Sequence, residues 1–182
     1  MEKTDARVRY TKRVLKESLL KFLKEKPINK ITVTEVCALA ELNRATFYSH
    51  YSDCFALLES IEDELVEAFG RVLLTEDSFH VSSMIEAFYD IAEKNRDACS
   101  VLIFGKAGSP VLQRMISLAR DRSLALWKEN LPKASEADLA LLYTHLSSGL
   151  MRVFVEGYEK YDKETIIGFV NRMVKSSFAL FQ

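Results

Sequence analysis

Cysteine, proline, glycine and histidine are all scarce in this 182-residue chain, at three, three, six and three copies. The three cysteines, Cys37, Cys54 and Cys99, are widely spaced, with no CxxC pair and no neighbouring histidine, so neither a disulfide framework nor a zinc site is indicated. His50, His80 and His145 fall in no ligand-spaced motif, and there is no phosphate-cradling glycine loop and no GxSxG elbow. Catalysis, a bound metal and a cofactor are therefore not expected. His145, set among Leu142, Tyr143 and Leu146, reads as a core histidine rather than a ligand or base. No apolar run approaches the roughly 18 to 20 residues of a membrane helix. The opening MEKTDARVRY has no signal-peptide core, which implies a cytoplasmic address and no membrane partner. Glycine and proline are also sparse inside the periodic stretches, which predicts helix throughout.

What is present is a soluble, globular composition, 48% hydrophobic and 28% charged, which excludes disorder. The net charge of −1 conceals an asymmetry. Residues 1–52 hold 11 Lys/Arg against 6 Asp/Glu, whereas residues 53–182 hold 14 against 20. A basic end suits a phosphate-facing module.

That basic end contains the stretch ITVTEVCALAELNRATFYSHY, residues 31–51. Thr32 and Glu35 have the spacing of a capping box, and Val33, Val36, Cys37 and Ala40 share one face of the helix it starts. Glu41-Leu42-Asn43 forms a turn, and Asn43 caps a second helix beginning at Arg44. In that helix Phe47 and Tyr51 share an inner face, while Ala45 and Ser49 point outward between Arg44, Thr46, Tyr48 and His50. Small residues at the centre permit close approach to a major groove, and the long side chains at the margins reach phosphates or base edges. The unit is a helix-turn-helix.

Residues 8–58 resemble the DNA-binding domain of the TetR/AcrR family of bacterial transcriptional regulators. The matching pieces are the first helix ending in FLKEKP, the ITVTEV start of the second, Arg44-Ala45-Thr46-Phe47-Tyr48 followed by His50-Tyr51, and Leu57-Leu58. The resemblance implies an all-α protein with a DNA-binding domain over 1–58 and a helical effector-binding and dimerisation domain over 59–182. It further implies a ligand-responsive repressor that binds a palindromic double-stranded DNA operator as a homodimer. The DNA-facing residues it implies are Lys12, Arg13, Thr32, Thr34, Asn43, Arg44, Ala45, Thr46, Tyr48, Ser49 and His50, with Arg44 as the base reader. The alternative for Arg9, Lys12, Arg13 and Lys16 is simply a solvated face. Many family members have a phosphate-touching lysine where this chain has Cys54, which puts one backbone contact in doubt. Cys54 at a helix start invites a redox reading, against a structural position as the default. The longer run INKITVTEVCALAELNRATFYSHYSD also resembles regulators that include the activator of dihydroxyacetone kinase operons, which implies a protein partner in place of a small-molecule effector.

In chain order, helices are expected over 7–26, with an arm at 3–9 that is disordered until DNA orders it, and then from Ser52-Asp53 through the VLL at 72–74. A loop is expected over 74–80. Helices follow over 81–95 and, after a short segment closed by Gly105 and a GKAGSP turn, over 111–130, 136–158 and 163–181. The 136–158 helix is apolar nearly all round and so should be buried on more than one side. In the family, such a terminal pair builds the dimer interface, and Ser147-Ser148-Gly149 would allow close approach there. Met84, Phe88, Phe104, Met115, Trp127, Tyr143 and Met151 are the candidate lining of an effector pocket, chosen as large or adaptable side chains; the plain alternative for each is core packing.

Overall fold

Leu15, Leu19 and Leu20 recur on one face of a long first helix, α1 (Glu2–Glu25), and all three are buried. The computed structural model of the protein describes residues 2–75, 81–104 and 109–182, and every regular element among them is helical. The chain divides into two compact units, Met1–Glu64 and Leu65–Gln182. The division falls inside α4 (Cys54–Thr75), the helix that also contains the expected 58/59 boundary.

In the first unit, α1 is followed by a 3-10 turn at Ile28–Lys30, then α2 (Val33–Leu39), α3 (Arg44–Tyr48) and the start of α4. Proline at 27 ends the first helical run. Leu15, Leu19, Val36, Phe47 and Leu57, one or two from each helix, are completely buried and form the centre of this unit. Helix α1 starts at Glu2, not near Arg7, so residues 3–9 are helical rather than a separate arm. Nothing in EKTDARVRY breaks a helix.

The second unit holds the rest of α4 with α5 (Val81–Lys94), α6 (Arg96–Leu102), α7 (Pro110–Asn130), α8 (Glu136–Gly157) and α9 (Lys163–Ala179). Pro110 sits in the first turn of α7, where its missing amide costs nothing. Ser135 and Asp138 make a reciprocal capping box on α8, and Asp162 caps α9 through the Thr165 amide. Helix α5 packs on α9, and α7 on α8. The turn between α8 and α9 is tight because a Cβ at Gly157 would lie 2.7 Å from Ile166 Cδ1.

Several expectations change. Helix α4 continues to Thr75, so the expected break at Leu74 is not there; the remainder of that loop, the Gly105 cap and most of the GKAGSP turn lie outside the described residues. Helix α8 is buried along one side only: Leu139, Leu142, Leu146 and Phe154 are inside, but Leu141 is 70% exposed. His145 lies on that outer side and is exposed, so it is no core histidine. Its apolar sequence neighbours turn inward while it turns away, as helical periodicity requires.

Glu41, in the turn between α2 and α3, has φ 54°, a left-handed conformation that disfavours a residue with a Cβ. Glu41→Gly is expected to raise the unfolding free energy in urea by about 0.5 to 1 kcal/mol, the relief of roughly 1 to 2 kcal/mol being partly offset by glycine's added chain entropy.

Candidate nucleic-acid interface and a buried cavity

The surface around α3 is assembled from three devices. Thr32 Oγ1 accepts from the Glu35 amide at 3.3 Å, and the Glu35 carboxylate accepts in return from the Thr32 amide at 2.9 Å. This box fixes the start of α2. Lys26, just past α1, donates to Glu35 Oε1 at 2.6 Å and so ties the end of the first helix to the start of the second. The Lys26 ammonium, and after it the Thr32 amide and hydroxyl, hold the Glu35 carboxyl at about 2 against an ordinary 4.5. Nothing in the sequence pairs Lys26 with Glu35, because their contact depends on how the chain turns at Pro27.

The third device is α3 itself. Asn43 Oδ1 accepts from the Thr46 amide at 2.7 Å and from the Thr46 hydroxyl at 3.0 Å. Phe47 is fully buried and Tyr51 nearly so, their rings 6.0 Å apart. The helix closes at Tyr48, yet the Tyr51 amide still bonds the Phe47 carbonyl at 3.0 Å, so the aromatic pair keeps a helical relationship across the turn. On the opposite side Arg44, Ala45, Tyr48 and Ser49 are all exposed. Arg44 lies over the Tyr48 ring, 5.7 Å from its centroid, and donates to the Tyr48 hydroxyl at 3.3 Å. An i,i+4 spacing makes such a pair legible in sequence, although it went unremarked there.

The other candidates divide by what already engages them. Lys12 and Thr34 are exposed. Arg13 is exposed but pairs with Glu17 at 2.8 Å and lies over the Tyr10 ring. The Thr32, Thr46 and Ser49 hydroxyls donate to Glu35, Asn43 and the Thr46 carbonyl respectively, which leaves each able to accept but not free to donate elsewhere. His50 is half-buried beside the Tyr51 ring. Cys54 is 4% exposed, and burial first, then the Asp53 carboxylate, pushes its thiol up rather than down. A raised thiol is a poor redox sensor, so the structural role stands. Burial also raises Cys37 and Cys99, the latter to about 12.

The second unit holds a partly open cavity of about 90 Å³. Of the seven residues proposed from sequence, Met84, Phe88, Met115, Trp127, Tyr143 and Met151 line it. Phe104 does not. Its ring instead stacks on Tyr158, centroids 4.4 Å apart, because it follows α6 and not one of the helices around the cavity. Ser123 and Ser147 also line the space and were missed; a serine on an otherwise apolar helical stripe is the signal that would have found them. Phe69 of α4 packs edge-on against Phe88, centroids 5.1 Å apart, so α4 touches the cavity wall there. Among the described residues no cluster of side chains fits a metal ion, and no helix is long and apolar enough to cross a membrane.

No family model matches the chain. An HTH-type transcriptional regulator of Bacillus subtilis, YxbF, whose role is uncharacterised, is 34% identical over 59 residues; these are 32% of this chain and 16% of that protein's length. Over the whole chain the likeness is to solved structures. A TetR/AcrR-type regulator from Aquifex aeolicus superposes with a TM-score of 0.62 at 16% identity, covering 91% of this chain and 98% of that one. A TetR-family member from Streptomyces coelicolor gives 0.58 at 13% identity, with 88% of each chain covered. The fatty acid degradation regulator FadR of Bacillus halodurans gives 0.60 at 9% identity, covering 90% of this chain and 93% of that one. At such identities the likeness is one of fold.

The Glu35 carboxylate, depressed below its unfolded value, contributes stability that is full above pH 4.5 and is lost as pH falls towards about 2. Acid titration followed by circular dichroism should show this loss in the native chain, and Glu35→Gln should be less stable at neutral pH but flatter between those two values.

Proposed function

We propose that this chain, which has the fold of the TetR/AcrR-family transcriptional regulators, is a sequence-specific DNA-binding regulator: a ligand-responsive repressor that holds a palindromic operator as a homodimer. The observation that carries this reading is the outer face of α3, where Arg44, Ala45, Tyr48 and Ser49 are exposed while Phe47 behind them is fully buried. A short helix capped, anchored and bare on one side is what a major groove receives. Arg44, held by Tyr48, reads a base edge; Lys12, Arg13, Thr34, Thr46, Tyr48 and His50 bind or position the phosphate backbone; Ala45 and Ser49 permit close approach, and Thr32 and Asn43 act mainly through their caps. The excess of basic residues in the first 52 supports the same side.

Dimerisation is assigned to the outer sides of α8 and α9. Leu141, Phe169, Met173 and Leu180 are exposed apolar residues there, and a Cβ at Gly149 would meet nothing within 4 Å. A twofold mate would cover them and set two α3 helices about 34 Å apart, one turn of duplex. The cavity supplies the effector site, and the Phe69–Phe88 contact couples it to α4, which is continuous with the DNA-reading unit. Ligand and operator then oppose each other by linkage. Residues 1–58 form the reading domain and 59–182 the effector and dimerisation domain. The protein works in the cytoplasm, where its DNA is.

Selection of bound sequences from random DNA should yield an inverted repeat. Against that sequence, Arg44→Ala should weaken binding by about 1 to 3 kcal/mol and relax preference at one position; equal weakening on random DNA would remove Arg44 from base readout. Gly149→Arg, at a position where a Cβ would meet no described atom within 4 Å, should leave the fold intact by circular dichroism and shift the dimer to monomer in light scattering. An unchanged mass would move the interface elsewhere.

A further inference from the structure

The cavity restricts what can act as effector, and this inference rests on the reading of that cavity as the effector site. None of its described lining residues is charged. Of the three hydroxyls among those residues, two are committed: Tyr143 donates to the Ile116 carbonyl, and Ser147 to the Tyr143 carbonyl at 2.6 Å. Burial raises the Tyr143 hydroxyl to about 12, so it remains a neutral donor already in use. The third, on Ser123, is about nine-tenths buried, and no described residue bonds to it.

Size narrows the class further. Drug-sized ligands occupy pockets of about 300 to 1,000 Å³, whereas an engineered apolar cavity of about 150 Å³ takes one benzene. At about 90 Å³ this space is below both. Three of its walls are methionines, Met84, Met115 and Met151, whose unbranched chains can shift to admit a ring without breaking a polar contact. An ionised carboxylate or phosphate inside would lose its hydration with no counter-charge in return.

We infer that the site takes a small uncharged molecule, one ring or less in size, apolar except for a single hydrogen-bonding group that meets Ser123. Phenol, benzene and benzoate test this, since they share a ring and differ in one group. Trp127 is the chain's one tryptophan and lines the cavity, so its fluorescence, excited at the red edge where phenol does not absorb, reports occupancy at this place. The titration uses the full chain without DNA, so a protein that ignored duplex would not spoil it, and a failed titration would leave DNA binding untouched.

Phenol and benzene should both bind, phenol about fivefold more tightly because of its hydrogen bond, and benzoate at least about a hundredfold more weakly than phenol. Ser123→Ala should bring phenol to the level of benzene while leaving benzene unchanged. Ala119→Leu, which fills the space from another point of α7, should abolish the response to both neutral rings. Benzoate binding as well as phenol, neutral rings that leave Trp127 unperturbed, or a phenol preference that survives Ser123→Ala would each overturn the inference.

Discussion

The structure depends first on two rings. Helix α3 is five residues long, far short of the roughly 12 to 15 at which an isolated helix becomes even marginal in water. It exists because Phe47 is inserted completely into the first unit, Tyr51 closes behind it, and Asn43 satisfies the leading amide. Those three contacts use up the inner side of the segment. The outer side, with no contribution to make to the core, is left to Arg44, Ala45, Tyr48 and Ser49. Stability and presentation are thus divided between two faces of the same short helix.

Much of this was legible in the sequence because it is local. Capping residues three positions from their partners, apolar stripes at helical spacing, and a proline that stops a helix all act over one or two turns. Thr32–Glu35, Asn43–Thr46 and Phe47–Tyr51 were readable for that reason. Less legible was whatever depends on where the chain goes next. Lys26 reaches Glu35 only after the bend at Pro27, and Glu41 gives no sign of its left-handed backbone. His145 looked internal because its neighbours are apolar, although the helical period turns it outward. Six of the seven candidate pocket residues share one cavity since they sit on helices that face each other; Phe104 follows a short helix that delivers it to Tyr158 instead.

The two units carry different physics. In the first, charge and exposed donors gather around a small core. In the second, aromatic and methionine side chains surround a space too small for most metabolites, with no charged group among its described lining residues. Helix α4 belongs to both, and its Phe69 lies on the ring that walls the cavity. A ligand that repacked Phe88 would be felt by α4 through that contact. The chain thereby combines an exposed helix face, a small apolar void and one helix common to both units.

The central claim is that the outer face of α3 is the surface that meets DNA. The direct measurement is a backbone amide titration by nuclear magnetic resonance, with a duplex chosen from random sequence as the titrant. The account predicts the largest shifts over residues 43–49, smaller ones at the N-terminal parts of α1 and α2, and none along the outer sides of α8 and α9. Shifts concentrated on α8 and α9, or a spectrum that duplex leaves unmoved even in dilute buffer, would contradict it.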